Sequence, residues 1–387
     1  MEAILNAINH YRTHVVSSLS EIGQSSWDGL LALQDEPNPF LSYAFLHALH
    51  ESGSACPETG WQPQYIALYD GDDLAAALPL YVKGHSYGEY VFDWAWADAY
   101  RRHGLAYYPK LLAAVPFTPV AGPRLLARAP AARTALIEVL VATQQATEVS
   151  STHVLFPPEE HARQLQDAGF LLRSGVQFHW LNGGYANFED FLATLEQKKR
   201  KNIRAERRKV RDAGVTLRRV RGVDATEADW RFFNRCYRHT YAAHYSTPYL
   251  NLDFFLRIGR SMPENILLVI AEREGRPIAS SLVVHTEDTL YGRYWGEIEH
   301  VPCLHFEAAY YQPLEFCIEQ GIQTFEGGAQ GEHKMARGFL PTRTYSAHWL
   351  AHPAFSDAIE RFLEREAGGI DDYLDELNER TPFRSQG

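Results

Sequence analysis

Residues 65–81 and 268–284 are two versions of one segment, and this internal repeat constrains the fold more than any other feature of the chain. Tyr65-Ile66-Ala67-Leu68-Tyr69-Asp70 leads through Gly71 into an apolar run ending at Tyr81. Leu268-Val269-Ile270-Ala271 leads through Glu274-Gly275 into a run ending at Val284. Each reads as strand, tight turn, strand. Aligning Gly71 with Gly275 brings Tyr87-Gly88-Glu89-Tyr90 onto Tyr291-Gly292-Arg293-Tyr294 without a gap. Two further blocks recur in the same order. Asn38-Pro39-Phe40-Leu41-Ser42 answers Thr247-Pro248-Tyr249-Leu250-Asn251, an extended X-Pro step followed by a residue able to cap a helix. Tyr107-Tyr108 and Tyr310-Tyr311 follow His103 and His305 by four and five residues. One Asp-Gly hairpin arises by chance; three blocks in one order indicate duplication.

At 387 residues the chain exceeds what a single core usually organises. The repeat divides it into domains 1–186 and 187–387. In the first copy, periodicity predicts helix 131–148, strand 151–156, helix 158–168 and strand 170–182, with Gly169 as a helix stop. Asn187 is expected to cap a basic helix, 187–213, that ends at Gly214 and opens the second domain. A strand at 215–220, a helix from Asp224 to about His244 and an amphipathic tail helix, 354–379, follow. Helices interspersed with hairpins indicate an α/β (mixed α+β) fold, each domain a mixed twisted sheet flanked by helices. Chemistry is expected at or near the seam between the copies.

Several function classes are disfavoured. Hydrophobic residues make up 45% and charged residues 22%, a globular composition. Cys56, Cys236, Cys303 and Cys317 lie far apart with no CxxC pair, against a disulfide framework or a cysteine zinc site. His10/His14 and His47/His50 have chelating spacings but no HExxH context or third ligand, so no metal is expected. The opening MEAILNAINHYRTHVV lacks the basic start and apolar run of a signal peptide. No apolar run approaches the length that spans a bilayer. A soluble cytoplasmic protein without integral membrane association is the expectation. The net charge of −11 disfavours a generic nucleic-acid binder. One local exception is helix 198–211, with nine Lys or Arg in fourteen positions. It reads either as a phosphate-tracking surface for a carrier such as tRNA or as a solvated linker helix.

Two constellations could carry chemistry. In the second copy, the stretch from Phe325 to Pro341 combines Gly327, Gly328 and Gly331 with Glu332, His333, Lys334 and Arg337. Glycines let backbone amides approach a ligand, and acid and base side chains on the same turn suit proton transfer beside an anion site. The plainer alternative is a glycine-rich connection with solvated charges. The spacing fits neither a P-loop nor a GxGxxG fingerprint, and no GxSxG elbow occurs. In the first copy, Asp93, Trp94, Trp96, Asp98, Tyr100, His103, Tyr107, Tyr108 and Lys110 crowd together. They read as a wall for an organic ligand, with Lys110 or Arg124 meeting a phosphate or carboxylate, or as ordinary aromatic core.

The blocks at 38–41, 90–126, 198–208 and 327–339 resemble the FemAB-like family of bacterial N-acyltransferases, associated with peptidoglycan biosynthesis or recognition, over about residues 18–385. The resemblance implies two tandem GNAT-like domains and a splay between the strands near Leu290–Trp295 and Ile322–Phe325, where an acyl carbonyl would sit. It implies Glu332 or His333 as base, Tyr310 or Tyr311 as proton donor, and Lys334 and Arg337 on an anionic group. Arg293 and Trp295 would contact substrate. Asp93, Trp96, His103, Tyr108 and Lys110 would bind an amine acceptor, a small molecule or a peptide such as a cell-wall precursor. The implied donor is acyl-CoA, although neither copy carries a clean Arg/Gln-x-x-Gly-x-Gly/Ala loop, and aminoacyl-tRNA stands beside it. A non-catalytic binding module and a tRNA-dependent aminoacyl transferase are the competing readings.

Overall fold

The computed structural model describes residues 10–328 and 331–384. The start of the opening segment and Ala329-Gln330 of the glycine-rich loop lie outside them. The chain forms two compact units. One comprises the residues up to Gly175 with Arg343–Asp372, and the other Val176–Thr342 with the segment from Tyr373 onward. The division thus falls eleven residues before the 186/187 boundary read from sequence, and a C-terminal stretch returns to the first unit.

The first unit contains β1 (Arg12–Val16), β2 (Trp61–Pro63), β3 (Tyr65–Asp70), β4 (Asp73–Leu78), β5 (Leu80–Lys83), β6 (Lys110–Ala113), β7 (Leu126–Ala127) and β8 (Ser151–Leu155). The strand β9 (Leu171–Leu181) crosses the division. The second unit contains β10 (Val215–Arg221), β11 (Ile266–Arg273), β12 (Arg276–His285), β13 (Thr289–Glu297) and β14 (Thr324–Glu326), and β15 (Leu340–Leu350) crosses back.

Each unit uses the same wiring. In the first, β1, β3 and β4 run antiparallel, and Pro79 separates β4 from its continuation β5. β5 then pairs antiparallel with β6, β6 parallel with β8, and β8 antiparallel with Ser346–Leu350. In the second, β10 to β13 are antiparallel, β13 is parallel to β14, and β14 is antiparallel to His179–Leu181. Both β-turns that begin the repeat take left-handed backbone, Gly71 at φ +60° and Glu274-Gly275 at +53° and +71°. Ser42 and Asn251 each cap the following helix, accepting from Phe45 N and Phe254 N.

The topology corrects two parts of the sequence alignment. The counterpart of β13 is β6, and Tyr87–Tyr90 lies in a loop. Residues 84–109, including the helix Trp94–Arg102, are inserted between β5 and β6, where the second unit has only residues 286–288. Tyr107-Tyr108 therefore precedes its strand, whereas Tyr310-Tyr311 follows its own. That third block was a coincidence of sequence.

The basic helix also differs from expectation. It is two helices, Phe188–Thr194 and Gln197–Asp212. Between them Leu195 is extended and buried in the core, and Glu196 N donates to Pro382 O at 3.0 Å. Burying one leucine is worth about 1.5–3 kcal/mol, more than continuing a helix by one turn across a break gains. Helices Pro130–Ala146, Glu159–Asp167, Glu227–Ala243 and Pro353–Glu379 lie close to where periodicity placed them. Leu68, Leu111, Leu136 and Val154 centre the first core, and Trp180, Phe191, Leu290 and Phe325 the second. The four cysteines are free. Among the described residues no helix is long and apolar enough to cross a membrane, and no group of His, Cys, Asp or Glu is arranged to hold a metal.

Candidate active site in the second unit

The parallel ladder between β13 and β14 is only three pairs long: Thr289 with Thr324, Leu290 with Phe325, and Tyr291 with Glu326. There β14 ends while β13 continues to Glu297. Among the described residues no strand takes up the edge of β13 beyond Tyr291. Glycines flank the opening. A Cβ at Gly292 would sit 3.2 Å from the Phe325 ring, and one at Gly327 3.1 Å from both Lys334 Cδ and Phe339. Larger residues at either position would fill the gap. The resulting cleft, about 90 Å³, is lined by Ser281, Gly292, Trp295, His305, Tyr310 and Phe325 among others.

A helical irregularity brings His305 and Tyr310 together. Pro313 has no N–H for the carbonyl of Ala309, and the preceding turn, Glu307–Tyr311, widens to π-helical spacing. Ser281 Oγ donates to the Ala308 carbonyl at 2.7 Å. The wide turn stacks residues five apart, so the His305 and Tyr310 rings lie 5.5 Å from each other. Desolvation, aided by the positive charges of neighbouring groups, brings the His305 pKa down to about 4. The ring is therefore neutral at pH 7. Burial pushes the Tyr310 phenol up to about 12, and its hydroxyl lies 3.4 Å from His333 Nε2. His333 is lowered by desolvation first and then by Arg337 and Lys334. Lys334 is almost fully buried, donates to Gly328 O at 2.9 Å, and falls to about 8 through desolvation. A protonated phenol beside neutral imidazoles can hand a proton to a leaving group.

The FemAB-like pattern, described as peptidoglycan biosynthesis/recognition, matches residues 18–385. The chain belongs to the FemAB-like family. No curated protein sequence matches it. Among solved structures, FemX is similar at a TM-score of 0.54 and 10% identity, over 87% of this chain and 98% of that one. L-PGS from Bacillus licheniformis gives 0.48 at 13% identity, covering 85% and 98%. A tandem GNAT protein from the clavulanic acid biosynthesis pathway gives 0.46 at 10%, covering 89% and 99%. The fold is mixed α/β in two units of like wiring, and it is similar to that of FemX.

In this FemAB-like chain the residues singled out from sequence separate into four sets. Tyr310, Arg293 and Trp295 line the cleft, and His333 touches Tyr310 from the adjoining turn. Tyr311 and Arg337 instead lock that turn. Tyr311 donates to Glu206; Arg337 bonds Glu206, Tyr311 and the His333 carbonyl and lies 3.5 Å over the Phe306 ring. Arg337 is buried by these contacts, which corrects its expected role on a substrate anion. Glu332 is exposed, accepts from the Tyr373 hydroxyl at 2.8 Å, and is not among the cleft-lining residues, which corrects its expected role as base.

The first-unit set forms a cluster of its own. Lys110 is wholly buried and donates to Ser86, Glu89 and Asp93. Burial opposes its charge, but Glu89 and Asp93 outweigh that and hold its pKa above the ordinary value. Trp96 packs on His348 at 4.9 Å, and Tyr108 bonds Ser86 at 2.8 Å. His103 is exposed, its Nδ1 on the Ala99 carbonyl. Asp93, Trp96 and Lys110 are thus core groups with no surface to offer an acceptor, a correction to the expected binding wall. Sequence reasoning missed His305, Ser281 and Gly292. His305 carried a signal, its five-residue spacing to Tyr310 ahead of Pro313.

Proposed function

We propose that this FemAB-like protein is an N-acyltransferase working at the β13–β14 opening, on an amine acceptor of the cell-wall precursor kind that the family description suggests. The observation that carries the reading is the three-pair ladder that stops at Tyr291 and Glu326 with glycine on both sides. A carbonyl in that gap would have its developing oxyanion beside the freed edge of Gly292–Trp295. Backbone donors aimed at such charge are worth about 10²–10³ in rate each. The amine lone pair attacks the acyl carbon, the C–N bond forms, and the bond to the leaving group breaks. Tyr310 protonates the departing atom and is recharged from solvent through His333, while the nitrogen gives up its extra proton toward solvent to leave the neutral amide. Acyl-CoA is the proposed donor, supplying a thioester. An aminoacyl ester on tRNA is the alternative, and helix Gln197–Asp212 would be the surface that meets it, with Lys201, Arg208 and Arg211 exposed.

One observation favours a second reading, recognition without transfer. The cleft, about 90 Å³, is small beside ligand pockets of about 300–1,000 Å³. Thermal shift and CoA-release assays with acetyl-CoA, CoA, a UDP-linked precursor and aminoacyl-tRNA separate the readings. Acetyl-CoA should raise Tm, a ligand at 100 times its Kd adding about 2.7 kcal/mol. Stabilisation by the precursor alone, with no donor consumed, would leave binding only.

A further inference from the structure

The last row of paired residues before the opening runs Tyr291–Glu326–His179, across β13, β14 and β9. Registered neighbours share one face of a sheet. The row below, Leu290–Phe325–Trp180, faces the other way, toward the core that contains Tyr310 and Tyr311. Tyr291 and Tyr294 pair with Val284 and Leu282, two residues apart on β12, and so share a face. Tyr294 packs on Tyr237 of the helix Glu227–Ala243 at 5.1 Å. Glu326 and His179 therefore lie on the side of the sheet carrying that helix, while His305 and Tyr310 lie on the opposite side. His305 and Tyr310 line the cleft, and the row of Glu326 and His179 adjoins it where the ladder ends, the Glu326 carbonyl oxygen being 3.7 Å from a Cβ placed at Gly292.

The Glu326 and His179 side chains are each 12% exposed, and their facing atoms Oε2 and Nε2, both buried, are 4.0 Å apart. His179 Nε2 has no hydrogen-bond partner among the described residues. We propose that Glu326 is the acceptor-side base of the transfer, taking the amine proton on the face opposite Tyr310, and that His179 is its positioning residue. This rests on the acyltransferase reading above. It also supplies an acid in the last pair of the ladder, whereas Glu332 is held on the exposed turn by Tyr373. Burial, with the Lys334 charge as a smaller cause, lowers the His179 pKa to about 4, so a neutral ring faces the carboxylate at pH 7. The ionisable groups on this side include His179 from β9, Tyr291 and Tyr294 from β13 and Tyr237 from the helix packed on them, and the Lys334 charge acts on His179 from the following turn.

The step balances. The amine nitrogen bonds to the acyl carbon and gives its proton to a Glu326 oxygen. The thioester C–S bond, or the ester C–O bond, breaks, and the leaving atom takes the Tyr310 proton. Glu326 then releases its proton to solvent.

The test uses the full chain with acetyl-CoA as donor and a lysine-containing peptide as acceptor, reading CoA release from pH 6 to 10. Support is a Glu326→Gln protein that keeps the wild-type melting temperature and acetyl-CoA shift but transfers about 100-fold more slowly near pH 7. Its deficit should narrow as rising pH deprotonates the amine without help. Glu326→Asp should recover part of the loss, and His179→Gln should lower kcat about tenfold with KM unchanged. Glu326→Gln transferring within about threefold of wild type at every pH, with donor binding intact, overturns this inference and leaves the transferase reading standing. A wild-type protein that neither binds acetyl-CoA nor releases CoA removes both.

Discussion

The Tyr310 hydroxyl and His333 Nε2 lie 3.4 Å apart although 23 residues separate them in sequence. The Arg337–Glu206–Tyr311 lock holds the turn carrying His333 against the helix carrying Tyr310. If the phenol protonates the leaving group and the imidazole recharges it, the two act as one unit. Tyr310→Phe and His333→Ala should each lower kcat about 10–100-fold with little change in KM, and the double variant should be no worse than the poorer single. Steady-state CoA release measures this.

Gly292 offers a cleaner block. Its backbone is not in the left-handed region, so a side chain there costs no backbone strain and is opposed chiefly by the Phe325 ring, 3.2 Å from the new Cβ. Gly292→Val should therefore fill the gap at a cost of about 1–3 kcal/mol from overpacking. The thermal shift with acetyl-CoA should disappear while the protein still melts cooperatively.

Much of this was legible in the sequence, and the failures have physical causes. Helix and strand limits followed from periodicity because most elements bury one face. The hairpins at Gly71 and Gly275 followed from turn chemistry. The splay between Leu290–Trp295 and Ile322–Phe325 came from family resemblance, and the ladder ends at Tyr291, inside the first range, and at Glu326, one residue past the second. What failed was anything set by tertiary contact. Leu195 breaks a sequence that is helical by propensity because the core takes its side chain. Lys110 looks like a binding group until Glu89 and Asp93, brought in by the 84–109 insertion, bury it. Glu332 and Glu326 are equally acidic in sequence, and only strand register distinguishes them.

Stability should fall on the acid side. His153, His179 and His305 have pKa values lowered to about 3, 4 and 4, with burial the largest cause in each. The unfolded chain binds these protons near pH 6.5 while the folded chain refuses them. Their contribution is thus full above pH 6.5 and is lost as pH falls through it. Each such histidine removes about 1.4 kcal/mol per pH unit below 6.5 until its folded pKa is reached. Urea unfolding at pH 7.5 and 5.5 should show the drop, and His179→Gln should flatten it.

Lys110 carries a different expectation. Removing it leaves Glu89 and Asp93 buried without their shared cation. Lys110→Ala should cost about 3–5 kcal/mol of stability. Acetyl-CoA binding in the second unit should persist at temperatures where the variant is still folded, as calorimetry with and without ligand would reveal.

Hydrogen exchange across Gly292–Trp295 addresses the central claim most directly. Those amides border the gap where the proposed reaction would hold the acyl carbonyl. Saturating acetyl-CoA should slow their exchange at least severalfold in the wild type and leave it unchanged in Gly292→Val. Ligand-induced protection confined to other segments, with 292–295 unaffected, would contradict the account.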